Sequence, residues 1–103
     1  MSHLLNTDAF VDCKLTFMGR EHSFRPASLW SIVTYYEGDA LPRLKAAEAE
    51  GDHQKQVEIQ IEIIRHTIPD ISEDELKMAT AKQLTWIYSF VRDGIPPEDT
   101  EKN

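Results

Sequence analysis

Val11, Cys13, Leu15 and Phe17 alternate with Asp12, Lys14 and Thr16. A period of two with β-branched and aromatic side chains predicts a half-buried strand. Met18-Gly19-Arg20 supplies a turn, and His22 to Arg25 a return strand with Phe24 as its apolar contact. Two strands alone are marginal in water, so a hairpin over 11–25 must lie on something else. Pro26 ends the strand and suits the first turn of a helix over 26–37. There Leu29, Ile32, Val33 and Tyr36 fall at i, i+3, i+4 and i+7 on one face. Gly38 closes that helix as its C′ residue, and Asp39 caps the next one, over 40–50, with a thin stripe of Leu41, Leu44 and Ala47.

The stretch Val57-Glu58-Ile59-Gln60-Ile61-Glu62-Ile63 alternates like a strand but also carries Val57, Ile61, Ile64 and Ile68 at helical spacing. Its fillers are good helix formers and no turn residue interrupts it before Pro69, so it reads as a helix over 53–67. Ser72 and Glu75 form a capping box, with Ile71 and Leu76 at the staple positions, opening a helix over 73–79. Thr80 and Gln83 repeat the device, with Ala79 and Leu84, for a helix over 81–93 that Gly94 ends. The fold class is α+β, predominantly α: an N-terminal β-hairpin followed by four to five helices in a single domain over 11–94. Residues 1–10 form a loose lead-in and 95–103 a polar tail.

Length and charge narrow the function. The 103 residues are one domain's worth, and a net charge of −7 lacks the basic stripe that nucleic-acid binding requires. The single cysteine excludes an internal disulfide, and the longest mostly apolar run, Leu84 to Val91, is too short to span a bilayer. A cytoplasmic protein that binds neither nucleic acid nor membrane is expected.

Catalytic chemistry finds little to build on. His3, His22, His53 and His66 have no partners at metal-ligand spacing and read as surface residues, so no metal or cofactor is expected. Cys13 meets His22 across the hairpin only if the register allows it, and no third group orients the pair. The four glycines punctuate elements and build no phosphate loop, so the protein reads as a non-enzyme.

What remains is apolar surface. On the last helix Leu84, Ile87, Tyr88 and Val91 share one arc, while Trp86 and Phe90 sit on another. On the helix over 53–67, Ile59 and Ile63 lie nearly opposite Val57, Ile61 and Ile64, and Trp30 and Tyr35 leave the main face of theirs. A short chain has few elements with which to cover both sides of several helices. Trp86, Phe90, Ile59, Ile63, Trp30 and Tyr35 are therefore the expected partner-binding or oligomer interface, led by the aromatic pair on the last helix.

The strand pair ending in Phe24-Arg25-Pro26, the aromatic-rich helix after it, Ile68-Pro69-Asp70-Ile71-Ser72 through Glu75-Leu76, and Thr80-Ala81-Lys82-Gln83-Leu84 together resemble the tail assembly chaperones of long-tailed bacteriophages. The layout covers about residues 11–93, and its motif-like part 68–84. The resemblance implies a mainly helical, non-enzymatic protein of the infected host's cytoplasm. It would bind the tape-measure protein, recruit tail-tube subunits and leave before the virion is finished, while the uncovered apolar helix faces add the expectation of a homo-oligomer. Such proteins are often made in a short and a frameshift-extended form. The competing expectation is an acidic phage-encoded inhibitor that mimics DNA to block a host nuclease. Lys55, Arg65, Lys77 and Lys82, interspersed among the acids, weaken it.

Overall fold

The computed structural model describes residues 4–5 and 12–94. The expected lead-in (apart from Leu4 and Leu5) and the polar tail lie outside the described residues. The fold is α+β and mainly helical. Strand β1 (Cys13–Phe17) pairs antiparallel with β2 (Arg20–Phe24). Met18 (φ 55°) and Gly19 (φ 77°) are both left-handed, the primed two-residue turn whose twist matches the strands it joins. Cys13 pairs with Phe24, Leu15 with His22 and Phe17 with Arg20.

The first helical stretch begins as α1 (Leu29–Ser31), widens into a π-helical segment (Ile32–Ala40) and continues as α2 (Leu41–Glu50). It starts three residues after Pro26, where the Ser28 hydroxyl accepts the Ser31 N–H at 3.1 Å. Gly38 does not end it and Asp39 caps nothing, which corrects the expected break between two helices. The reason lies at Pro42, which has no N–H to return and whose ring crowds the carbonyl four residues back. A wider turn, in which the Leu41 N–H reaches back to the Tyr36 carbonyl, precedes the proline and lets the helix run on. Asp39 instead accepts two bonds from Arg43, one turn ahead.

The wide turns also change which side chains point inward. Each residue of a π-helix advances less around the axis than in an α-helix, so positions four apart come closest to sharing a face. Ala40 is buried and Ile32 and Tyr36 are half-buried, whereas Leu29 and Val33, expected in the core, are exposed.

Gly51, left-handed at φ 70°, closes α2, and Asp52 caps α3 (His53–Thr67) by accepting the Lys55 N–H. The alternating isoleucines are thus helical. α3 packs against α2, the π segment, α4 (Glu73–Lys77) and α5 (Ala81–Asp93). With neighbours on several sides, it buries Ile59, Ile61, Ile63 and Ile64 together. Both capping boxes form as expected, each with its reciprocal pair of bonds. Ile71 and Leu76 are fully buried beneath the first of them. Leu84, Ile87, Tyr88 and Val91 turn the inner arc of α5 toward α3, as their spacing predicts.

The hairpin is fastened to the helices by named side chains. Phe24 meets Phe90 edge to face with centroids 5.2 Å apart. The Cys13 thiol points at the Gly94 carbonyl at 3.9 Å. Arg20 reaches the Glu75 carboxylate at 3.2 Å, and His22 Nδ1 lies 3.1 Å from Asp70 Oδ2. β1 therefore runs along α5 in the opposite sense, with Cys13 at the Gly94 end.

Candidate interaction surfaces

The six expected interface residues divide into three groups. Ile59 and Ile63 belong to the core, buried under the neighbours of α3, so their assignment to an interface is corrected. Phe90 and Tyr35 are half-buried and committed to internal contacts, Phe90 through its ring contact with Phe24. The Tyr35 hydroxyl donates to Glu62 at 2.6 Å and its ring stacks on His66 at 4.1 Å. Trp30 is exposed, and Trp86 is half-buried beside a groove.

Trp30 is 76% exposed, beside Leu29 at 76% and Val33 at 50%. Position 33 lies three and four residues from positions 30 and 29, so the three share one side of a helical stretch. Their backbone is well anchored: Ser28 caps the first turn, the Thr34 hydroxyl donates to the Trp30 carbonyl at 2.8 Å, and Ser31 Oγ lies 3.3 Å from His66 Nε2. An apolar cluster on a fixed scaffold is the arrangement found at protein contact sites, because little freedom is lost when it is covered.

Trp86 flanks a groove of about 180 Å³ between β1 and α5, lined by Leu15, Thr16, Phe17, Gln83, Ile87 and Phe90. Lys82 Nζ stands 4.9 Å from the centre of the Trp86 ring, a cation over an aromatic face one turn away on the same helix. Leu15, Phe17, Trp86, Ile87 and Phe90 make the lining mostly apolar.

A second depression, of about 480 Å³, lies along α3 and is lined by Tyr35, Glu58, Ile61, Glu62, Arg65, His66 and Glu73. Its central groups are already paired. Arg43 donates to Glu62 at 2.6 Å and holds that carboxyl below its ordinary range, with the Tyr35 bond adding to the effect. Burial and the same bond raise the Tyr35 phenol above its usual range. The result is a tie between the first helical stretch and α3.

The Cys13–His22 pair does not form. The register sets Cys13 opposite Phe24 and His22 opposite Leu15, and the His22 ring turns to Asp70. Burial, and after it the Asp12 charge, raise the Cys13 thiol, which keeps it from becoming a reactive thiolate. His22 is also not a surface residue: it is 1% exposed, with Nε2 buried and unpartnered among the described residues. Alternation along β2 carries the signal, since residues 20, 22 and 24 share one face and Phe24 marks that face as inward. Nothing comparable in the sequence marks Leu29 and Val33 as exposed.

Among the described residues, no three His, Cys, Asp or Glu side chains gather into a metal-binding group, and no helix is long and apolar enough to cross a membrane. No protein-family model, curated protein or solved structure matches the chain.

Proposed function

We propose that this chain is a non-enzymatic assembly chaperone of the kind used by long-tailed bacteriophages, acting in the host cytoplasm. It holds an apolar helical segment of a tape-measure protein and brings tail-tube subunits to it. The observation that carries this reading is the exposed Leu29-Trp30-Val33 cluster on an anchored helical stretch. An aromatic flanked by aliphatic side chains is the usual centre of an energetic hot spot, and a helix laid across it buries its own apolar stripe. The net charge of −7 supports the same role, since it keeps a carrier of greasy cargo apart from other copies of the complex.

The DNA-mimic alternative has less support. Several surface carboxylates are matched with cations: Asp39 and Glu62 with Arg43, Glu73 with Lys77, Glu75 with Arg20. A mimic of the phosphate backbone needs its charges free and in rows.

The test looks for a tape-measure gene beside the gene of this chain, whose absence counts against the reading, and co-expresses the two proteins. The wild-type protein is expected to keep the tape-measure protein soluble and to elute with it. Trp30→Ser, at a site that contributes little to the core, is expected to fold normally and lose the capture. A tape-measure protein that stays insoluble with wild type, or is held equally by Trp30→Ser, overturns the reading.

A further inference from the structure

We propose that two copies of this chain join edge to edge through β1, making a four-stranded antiparallel sheet with a twofold axis at Leu15. The inference is independent of which cargo the protein carries. It starts from the hairpin register. A two-residue primed turn closes on a pair that exchanges both hydrogen bonds, here Phe17 with Arg20. Pairs alternate along an antiparallel ladder, so Leu15–His22 and Cys13–Phe24 are also bonded pairs. Lys14 and Thr16 therefore aim their backbone N–H and C=O away from β2. No backbone or side-chain partner meets them among the described residues, and the sheet has two strands. Such an edge is a template for another strand.

The side of the sheet that faces the helices is open there too. The groove between Leu15, Thr16 and Phe17 on β1 and Gln83 and Trp86 on α5 lies where an added strand would send its inward side chains. Leu15 is only half-buried by its own subunit.

The edge is complementary to itself, which selects a second copy as the occupant. With the axis at Leu15, the outward-aimed groups of Lys14 bond those of Thr16 in the other copy, twice over. Leu15 meets Leu15 as the close, non-bonded pair between them. The small Cys13 of one copy comes beside Phe17 of the other, at the groove that Trp86 flanks. Moving the axis one residue back sets Lys14 against Lys14, like charges directly opposite each other.

Sedimentation of the full chain, together with directed cross-linking, tests this. Wild type is expected to approach twice the 11.8 kDa chain mass as concentration rises. Thr16→Pro deletes an outward N–H that β2 does not use, and is expected to remain monomeric with an unchanged far-UV spectrum. In a Cys13→Ser background, Leu15→Cys brings two thiols into a pair whose Cα atoms are about 4.5 Å apart, within disulfide reach. Mild oxidation should convert it to a covalent dimer. Wild-type Cys13, four residues out of register with its counterpart and so about 13 Å from it along the strand, should stay uncross-linked. A wild-type chain that is monomeric at its highest soluble concentration, with no cross-link through Leu15→Cys, overturns the proposal. So does cross-linking through Cys13 as efficient as through Leu15→Cys.

Discussion

Asp70→Ala should weaken the protein by about 2 kcal/mol, and the reasoning starts from a ring with one partner. His22 is 1% exposed, its Nδ1 lies 3.1 Å from an Asp70 carboxylate oxygen, and its Nε2 has no partner among the described residues. A carboxylate only accepts, so Nδ1 is the donor of this bond. Removing the carboxylate leaves both nitrogens buried and unpaired. A buried donor stripped of its partner costs about 1–3 kcal/mol, more when the partner is charged. Little else is lost. The Asp70 side chain is 64% exposed, and the contact that Arg20 makes at Asp70 is to the main-chain carbonyl, which alanine keeps.

For a domain of this size, 2 kcal/mol corresponds to a fall in melting temperature of about 8–16 °C. Urea unfolding followed by circular dichroism measures it directly. The control that isolates the bond is His22→Leu, which fills most of the ring's volume without polar atoms. In that background Asp70→Ala should cost less than about 0.5 kcal/mol, since no donor is left to orphan. Hydrogen exchange should show the loss first at the β1 and β2 amides, because His22 is one of the few side chains that hold the hairpin to the helices. Equal costs of Asp70→Ala in the two backgrounds, or a cost under about 0.5 kcal/mol in wild type, would refute the argument.

Three further outcomes rest on other features. Gly51 and Gly94 both end helices at positive φ, but a Cβ at Gly51 meets open space whereas one at Gly94 comes within 3.1 Å of the Pro26 ring. Gly51→Ala should therefore cost about 1–2 kcal/mol for the left-handed backbone alone, and Gly94→Ala more, as chemical denaturation of the two variants will tell. Tyr35 and Tyr88 are raised above the ordinary phenol range by burial, and then by their bonds to Glu62 and Tyr36. A raised phenol stabilises the fold fully below its unfolded value and loses that contribution as pH climbs through the folded one. Absorbance titration should thus show Tyr35 and Tyr88 ionising late, together with alkaline unfolding. Glu62, lowered chiefly by Arg43, has the opposite sign. Its contribution is present above the ordinary carboxyl range and disappears as pH falls through the lowered value, so Arg43→Ala should flatten the acid limb of the stability curve.

Local signals were legible in the sequence, and signals that depend on neighbours were not. Ser72-Glu75 and Thr80-Gln83 form their boxes because each bond spans three residues and needs no tertiary partner. The hairpin is likewise written in its own alternation and turn. Ile59 and Ile63 illustrate the other case. Their position opposite Ile61 and Ile64 is read correctly from helical rotation, but whether that second face is free depends on where α2 and α5 dock, which no local pattern states. Leu29 and Val33 fail for a sharper reason. Their assignment to the core assumed an α-helical advance per residue, and the π segment breaks that assumption.

That same departure ties a single residue to the candidate surface. Pro42 withholds the N–H that an α-helix would return to Gly38, and the wide Leu41-to-Tyr36 turn answers it. The π register that precedes the proline runs back to Ile32. Over that length the slower rotation keeps Ile32, Tyr36 and Ala40 against the protein and turns Leu29 and Val33 out beside Trp30. With the ordinary advance, Leu29, Ile32, Val33 and Tyr36 would share one face. The Tyr35–Glu62–Arg43 tie and the Tyr36–Tyr88 hydroxyl contact of 2.8 Å bind the unusual register to α3 and α5. The apolar cluster is therefore not a leftover of poor packing. It follows from a backbone geometry that a proline provokes and that α3 and α5 hold in place.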